Sequence, residues 1–221
     1  MIQTIIFDMD GTLYSSEAMI LPTYQRGIRA FNKRNPHHRV PTPSLNSIIG
    51  LLGFPINEIY STLFPTLSPD EILEIRELIL TELLTAIRNK EGELFPGVVD
   101  TLNELSRRGY GMYIASNGQS LYLKAILETY DLSHLFQAII TLNYTDLCDK
   151  GDILLAYQER DRLEKTEAVM VGDRDSDMDA ARKMGCSFIA CQYGHGDKGE
   201  TESAKIFVSS FPEIIGWIET I

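Results

Sequence analysis

The chain has 221 residues, of which 44% are hydrophobic and 23% charged, and this composition allows one large folded domain or two modest ones with a buried core. Its formal net charge of -11 argues against a general affinity for nucleic acid or for an anionic membrane surface. No stretch is apolar for the length of a membrane span, and residues 2–7 form too short an apolar run for a signal peptide.

The first predicted element is the apolar run TIIFD at residues 4–8, whose β-branched residues indicate a buried strand. The chain then changes character, because the runs at 22–34 and 68–90 have helical periodicity and no convincing strand lies between them. Ser68 is a predicted N-cap, since a proline follows at the first helical position and an acid lies in the first turn. We therefore predict a helical insertion at residues 14–93.

Strand-like and helix-like segments alternate after this insertion. The predicted helices are 98–109, 119–130, 151–161 and 176–185, and the predicted strands are 110–116, 136–141, 167–173 and 186–191, followed by a last strand at 204–209 and a closing helix at 211–220. Such alternation predicts an α/β fold, with a Rossmann-like parallel sheet covered by helices on both faces. The core domain then comprises residues 1–13 and 94–221, and 14–93 form a second, helical domain.

Polar side chains follow four of the predicted strands. In chain order they are Asp8, Asp10 and Thr12, then Ser116 and Asn117, then Lys150, and last Asp173 and Asp177. Ligands of an open parallel sheet bind beyond the carboxyl ends of its strands, and a buried strand has no structural need for these groups. Their convergence from distant parts of the sequence therefore indicates a functional site.

The acidic residues indicate the chemistry of this site. Asp8 and Asp10 lie one residue apart and repel each other unless a positive charge lies between them. Together with Asp173 they indicate a hard cation such as Mg²⁺, which prefers oxygen ligands that include substrate phosphate. The lysine, the Ser-Asn pair and the backbone N–H groups of DGT suit phosphate oxygens. One aspartate can attack phosphorus and form an aspartyl phosphate, while a second protonates the leaving oxygen and later activates water.

The motifs DMDGT at 8–12, SN at 116–117, Lys150 and GDRDSD at 172–177 occur in the order of the four motifs of the haloacid dehalogenase superfamily. The chain resembles this superfamily over essentially its whole length. The position of the helical insertion, directly after the first motif, resembles the cap of the phosphatase branch that includes phosphoglycolate phosphatases and β-phosphoglucomutase-like proteins. We therefore call residues 14–93 the cap.

This resemblance implies a role for each motif residue. Asp8 is the expected nucleophile, and Asp10 is the expected general acid and base. The expected Mg²⁺ ligands are Asp8, the Asp10 backbone carbonyl and Asp173, with Asp177 in support. The residues expected to bind phosphate are Ser116, Asn117, Lys150 and Thr12. The family frequently has KPxP where this chain has KGDI, so Lys165 is the alternative to Lys150.

The resemblance also narrows the reaction. Dehalogenases of the family lack the second acid, so Asp10 favours a phosphate ester with an alkoxide leaving group. The mutase branch usually has a histidine where this chain has Ile20, and Lys33, the one lysine of the early cap, lies in a polar run that is unsuited to the Schiff base of a phosphonatase. We predict a phosphatase of a small soluble metabolite, with phosphoglycolate, sugar phosphates and nucleoside monophosphates all open. The alternatives are a phosphomutase or nucleotidase of the same family and a non-catalytic relative that binds a phosphorylated ligand.

Several further features have two interpretations each. The run KRNPHHR at 33–39 is either an anion clamp or a solvated helix end, and His195 either contacts substrate or belongs to a surface loop. The three cysteines, at 148, 186 and 191, have no metal-type spacing, so we expect reduced thiols in a cytoplasmic protein. We expect a monomer or homodimer with no nucleic acid or membrane partner.

Overall fold

A parallel sheet forms the centre of the computed structural model, which describes residues 1–142, 147–196 and 199–221. The strands are β1 (Thr4–Phe7), β2 (Tyr14–Ser15), β3 (Glu93–Leu94), β4 (Gly111–Ser116), β5 (Ala138–Thr141), β6 (Ala168–Gly172), β7 (Ser187–Cys191) and β8 (Phe207–Val208). Six of those described form the main sheet in the order β5-β4-β1-β6-β7-β8, and every neighbouring pair is parallel. The predicted parallel α/β sheet is confirmed.

Helices follow the strands in the predicted alternation. They are α1 (Glu17–Arg34), α2 (Leu45–Ile49), α3 (Ile56–Leu63), α4 (Pro69–Arg88), α5 (Val98–Arg107), α6 (Ser120–Thr129), α7 (Lys150–Asp161), α8 (Asp175–Met184) and α9 (Ile214–Ile218), with short 3₁₀ turns at Ser133–Leu135, Lys165–Glu167 and Phe211–Glu213. None of the helices in the described ranges is long and apolar enough to cross a membrane. All three cysteines lie in those ranges, and none forms a disulfide.

The alternation of side chains along β1 explains why helices cover both faces of the sheet. Ile5 and Phe7 point to one face and join a buried cluster that includes Leu102 of α5. Ile6 points to the other face and joins a second cluster that includes Ile153 of α7. Since neighbouring residues of a strand face opposite ways, a strand buried on both sides is apolar throughout, as TIIF is.

The cap helices differ in part from the prediction. The N-cap at Ser68 is confirmed, because its hydroxyl accepts a hydrogen bond from the backbone N–H of Glu71 and the Glu71 carboxylate accepts one from the backbone N–H of Ser68. Helix α1, however, begins five residues before Pro22, because its buried face already includes Met19 and Ile20. The short helices α2 and α3 were not predicted.

Two strands of two residues each lie where the chain enters and leaves the cap. Tyr14 pairs with Leu94 and Ser15 with Glu93 in an antiparallel arrangement. Strands this short carry no periodicity, so the sequence did not reveal them. The division of the chain at residues 14 and 93 stays a prediction, and the β2–β3 pair lies at these two positions.

Candidate active site

The carboxyl ends of the central strands bring the predicted polar residues together at one edge of the sheet. Asp8 directly follows β1, Ser116 ends β4, and Asp173 directly follows β6, while Lys150 begins α7 after β5. These four side chains are buried, as are those of Thr12, Asn117 and Asp177, and Asp10 is half-buried. Lys165 lies exposed at the opposite, amino end of β6, so the structure does not bring this alternative lysine to the site.

Lys150 lies between two buried carboxylates. Its ammonium nitrogen is 2.8 Å from Oδ1 of Asp8 and 2.6 Å from Oδ1 of Asp177. Burial alone would lower the pKa of Lys150, but the charges of Asp177 and Asp8 outweigh burial and raise its pKa above the usual value. The lysine therefore stays charged and fixes the orientation of the Asp8 carboxylate.

The carboxylate of Asp173 is held by the chain that passes over it. Its Oδ2 accepts hydrogen bonds from the backbone N–H groups of His195, at 2.7 Å, and Gly196, at 3.0 Å. The hydroxyl of Thr12 donates to its Oδ1 at 3.4 Å. Burial, with the nearby charge of Asp177, raises the pKa of Asp173 to about 7. The two backbone N–H groups and the Thr12 hydroxyl thus fix the position of the Asp173 carboxylate.

Asp177 supports the turn that presents Asp173. Its Oδ2 accepts hydrogen bonds from the backbone N–H groups of Asp173, at 3.1 Å, and Arg174, at 3.0 Å, at the start of α8. Burial raises the pKa of Asp177 to about 6 despite the opposing charge of Lys150. The aspartate thus ties β6, α8 and the lysine to one another.

The glycine of DGT is required by the same geometry. Gly11 has a φ of +82°, and a Cβ added to it would lie 2.2 Å from Oδ2 of Asp173. The first motif can therefore approach the fourth only where residue 11 has no side chain.

Asp10 has a partner that the sequence did not indicate. The hydroxyl of Tyr122, on α6, donates a hydrogen bond of 2.7 Å to Oδ1 of Asp10. Burial raises the pKa of Asp10 to about 7, although the Tyr122 hydrogen bond opposes this shift. Near neutral pH the carboxyl can therefore both give and take a proton, as a general acid and base must. A tyrosine within an ordinary helical pattern carries no signal of such a contact.

A divalent cation fits the acids of this site. Side-chain oxygens of Asp8, Asp173 and Asp177, all three of them buried residues, lie within 4.8 Å of one another. Hard cations such as Mg²⁺ prefer such oxygen donors, and Lys150 alone does not balance the negative charge. The side chain of Asp10 is not part of this cluster, and its predicted contribution to the metal is its backbone carbonyl.

A cavity of about 60 Å³ separates these residues from the cap. On the side of the sheet its lining includes Asp8, Asp10, Ser116, Asn117, Gln119 and Tyr122, and on the side of the cap it includes Ile20, Tyr24, Leu52, Phe54, Ile59 and Tyr60. The site therefore faces the cap across this cavity.

Two core residues hold the cap segment at 50–54 over this cavity. The amide nitrogen of Asn117 donates a hydrogen bond of 2.6 Å to the carbonyl oxygen of Gly53. The guanidinium of Arg174 donates to the carbonyl oxygen of Leu52 at 2.9 Å and to Glu200 at 2.8 Å, and it lies 5.2 Å from the ring centroid of Phe54. Arg174 was not singled out in the sequence, although it lies within GDRDSD.

The remaining candidates lie away from the reacting groups. The ring of His195 is buried beside Phe95, and only its backbone contacts the site, through Asp173. Lys33 and Arg39, from the run at 33–39, line a groove on the outer side of the cap. Neither the ring of His195 nor this run lines the cavity at Asp8 within the described part of the chain.

The fold and the site are those of an α/β enzyme whose acidic and basic groups lie at the carboxyl ends of parallel strands. A model of the haloacid dehalogenase-like hydrolases matches residues 5–191, and the chain belongs to this family. The family that the four motifs predicted is thereby confirmed.

Relatives and solved structures agree with this assignment. The chain is 24% identical to a phosphoglycolate phosphatase of Vibrio parahaemolyticus, over 97% of this chain and 95% of the relative. Its fold matches a predicted phosphoglycolate phosphatase from Haemophilus somnus, with a TM-score of 0.83, 20% identity and coverage of 98% and 97% of the two chains. A haloacid dehalogenase-like hydrolase from Streptococcus pneumoniae matches with a TM-score of 0.79, 25% identity and 98% coverage of each chain. The predicted enzyme class, a phosphatase hydrolase, is confirmed.

Proposed function

We propose that the chain hydrolyses a phosphomonoester of a small metabolite in a magnesium-dependent reaction that forms an aspartyl phosphate on Asp8. One observation carries the proposal. Oδ1 of Asp8 is held by Lys150, while Oδ2 is buried, has no hydrogen-bond partner among the described residues, and belongs to a side chain that lines the cavity. An oriented carboxylate with an unused oxygen is suited to attack a phosphorus atom placed in that cavity.

Asp10 is proposed to move the protons. In the first step an oxygen of Asp8 bonds to phosphorus, the ester P–O bond breaks, and Asp10 gives its proton to the leaving oxygen. In the second step Asp10 takes a proton from a water molecule that attacks the phosphorus and releases Asp8 and inorganic phosphate. The pKa of Asp10, raised by burial to about 7, supports both roles.

Other residues are proposed to bind the phosphoryl group and the metal. Lys150 and the hydroxyl of Ser116 hold phosphate oxygens, with weaker contributions from Thr12 and from the amide N–H groups of Asn117, whose nitrogen also donates to the carbonyl oxygen of Gly53. Mg²⁺ bound by Asp8, Asp173 and the backbone carbonyl of Asp10, with Asp177 in support, would supply the positive charge that offsets the phosphoryl oxygens. The relatives named as phosphatases support this assignment of the reaction.

Substitution of Asp8, with chelation of the metal, tests the proposal. With Mg²⁺ the protein should hydrolyse an aryl phosphate, and excess EDTA should abolish the activity until Mg²⁺ is restored. Asp8→Asn should lower kcat by at least about 1000-fold while the protein stays folded, whereas Asp175→Asn, an exposed acid of the fourth motif, should leave activity near the wild-type value. Undiminished hydrolysis in EDTA, or by a folded Asp8→Asn variant, would contradict the proposal.

A further inference from the structure

The cavity between the site and the cap constrains the group that leaves with the ester oxygen. In phosphoryl transfer the attacking and leaving oxygens lie roughly in line with phosphorus, so the leaving group points away from Asp8. Besides Asp8 and Asp10, the cavity is lined by core residues at the end of β4 and the start of α6, among them Gln119 and Tyr122, and otherwise by the cap. The chemistry of the cap wall therefore selects the leaving group.

The cap wall is apolar. Aliphatic residues from α1, the segment after α2, α3 and α4 contribute to it, and two aromatic rings, those of Tyr24 and Tyr60, lie stacked with centroids 6.2 Å apart. The aliphatic members are Ile20, Leu52, Ile56, Ile59, Leu80 and Leu83. Burial raises the pKa of Tyr24 to about 12, so its hydroxyl stays neutral. Apart from the hydroxyl groups of these two tyrosines, the side chains of the wall offer a leaving group apolar contact surface, and the polar side chains Asn117, Gln119 and Tyr122 belong to the core side of the cavity.

No lysine, arginine or histidine lines this cavity in the described part of the chain, and its charged lining residues are the two acids Asp8 and Asp10. Arg174 lies next to the wall, but its guanidinium is engaged by Glu200 and by the carbonyl oxygens of Leu52 and Gly50. A carboxylate on the leaving group would therefore be buried without a cation and close to two acids. A polyhydroxylated sugar would leave the hydroxyl groups that face the aliphatic part of the wall without partners.

From this wall we infer that the substrate is a phosphomonoester of a short, uncharged and largely apolar alcohol. The inference rests on the proposed function and narrows its substrate class. It separates this chain from a phosphatase of a phosphorylated carboxylic acid, although phosphoglycolate phosphatases are among its relatives. The cavity of about 60 Å³ favours a short leaving group, since one water molecule needs about 10–15 Å³ by the same measure.

Two esters of matched size test the inference. The leaving groups of isobutyl phosphate and 2-phosphoglycolate have equal numbers of non-hydrogen atoms in the same branched arrangement. They differ in charge, because the first ends in two methyl groups and the second in a carboxylate. With Mg²⁺ present, kcat/KM of the wild type should be at least about tenfold higher for isobutyl phosphate. A preference for 2-phosphoglycolate, or equal values for the two esters, would overturn the inference.

A charge placed in the wall should shift this preference. Leu80→Lys places a cation on the cap side of the cavity, and Leu80→Met is the neutral control of similar length. The ratio of kcat/KM for 2-phosphoglycolate to that for isobutyl phosphate should rise at least about tenfold in the lysine variant relative to the methionine variant. Ile56→Lys and Ile56→Met repeat the comparison from α3 if the first pair does not fold. An unchanged ratio in the folded lysine variants would contradict the assignment of this wall to the leaving group.

A binding measurement separates the substrate class from the reaction. Isopentylphosphonate and 3-phosphonopropionate replace the ester oxygen of the two substrates with a methylene group and cannot be hydrolysed at that bond. In calorimetric titrations of the Mg²⁺-loaded protein, the first should bind at least about tenfold more tightly. Tighter binding of the first, without hydrolysis of any ester, would overturn the proposed reaction but support the substrate class. Equal affinity, tighter binding of the second, or binding of neither would overturn the substrate class.

Discussion

Arg174, the residue after Asp173, donates a hydrogen bond of 2.9 Å to the carbonyl oxygen of Leu52 and so joins the fourth motif directly to the cap. Its side chain is nearly fully buried, with an exposed fraction of 6%, and it also pairs with Glu200 at 2.8 Å. The residue that follows a candidate metal ligand thus helps to hold the cap over the cavity.

Replacing this arginine should loosen the cap. Arg174→Met removes the hydrogen bonds to the segment at 50–54, and we expect proteolysis within that segment to become about tenfold faster, because hydrogen bonds of a charged group contribute about 1.5–3 kcal/mol each. Arg182→Met is the control, since Arg182 is exposed and pairs with Asp179 on α8. Equal cleavage rates in the two variants would show that Arg174 does not restrain the cap.

Loss of Lys150 should destabilise the whole core. Lys150→Met leaves Asp8 and Asp177 buried without their common cation, which should lower the free energy of unfolding by about 3–5 kcal/mol. The same substitution at Lys183, which is 37% exposed and pairs with Asp149 and Asp152, should cost about 1 kcal/mol or less. Urea unfolding of both variants measures the difference, and similar costs would contradict the burial argument.

Asp10→Asn should affect substrates according to their leaving groups. If Asp10 protonates the leaving oxygen, hydrolysis of an alkyl phosphate should nearly cease, while an aryl phosphate with an acidic phenol should still complete the first step. Phosphoenzyme should then accumulate, and rapid quench should show a burst of phenol followed by slow turnover. Equal losses for alkyl and aryl esters, with no burst, would leave Asp10 without an acid-base role.

Gly11→Ala should lower the stability of the protein by more than the positive φ of residue 11 explains. A Cβ at Gly11 would meet Asp173 at 2.2 Å, whereas one at Gly109, which has a similar φ of +87°, would meet nothing within 4 Å. Gly109→Ala should therefore cost about 1 kcal/mol of stability, and Gly11→Ala should cost more and also weaken Mg²⁺ binding. Calorimetric unfolding and Mg²⁺ titration of both variants test this. Equal stability losses with unchanged Mg²⁺ affinity would show that the contact with Asp173 is unimportant.

The sequence was sufficient to predict the parts of the fold and of the site that depend on periodicity and on the order of elements along the chain. Asp8 and Asp173 follow apolar runs, and because parallel strands end at a common edge, their proximity could be expected. Their catalytic and metal-binding roles stay predictions. The hydrogen bond from Tyr122 to Asp10 could not be expected in the same way, because it joins residues 112 positions apart and neither helix periodicity nor a motif marks it. The apolar cap wall was likewise hidden, since its residues satisfy the same pattern as an ordinary helix core.

The pairing of Tyr14 with Leu94 limits how the cap can swing. The two segments that connect the sheet to the cap pair with each other as strands β2 and β3, so they form a single pivot instead of two independent linkers. Rotation about this pivot would change the distance between Asp10 and the cap but would leave the stacked rings of Tyr24 and Tyr60 fixed relative to each other. Opening would then alter the depth of the cavity while preserving the shape of its ceiling, so that the proposed alcohol would meet the same surface at entry and after closure.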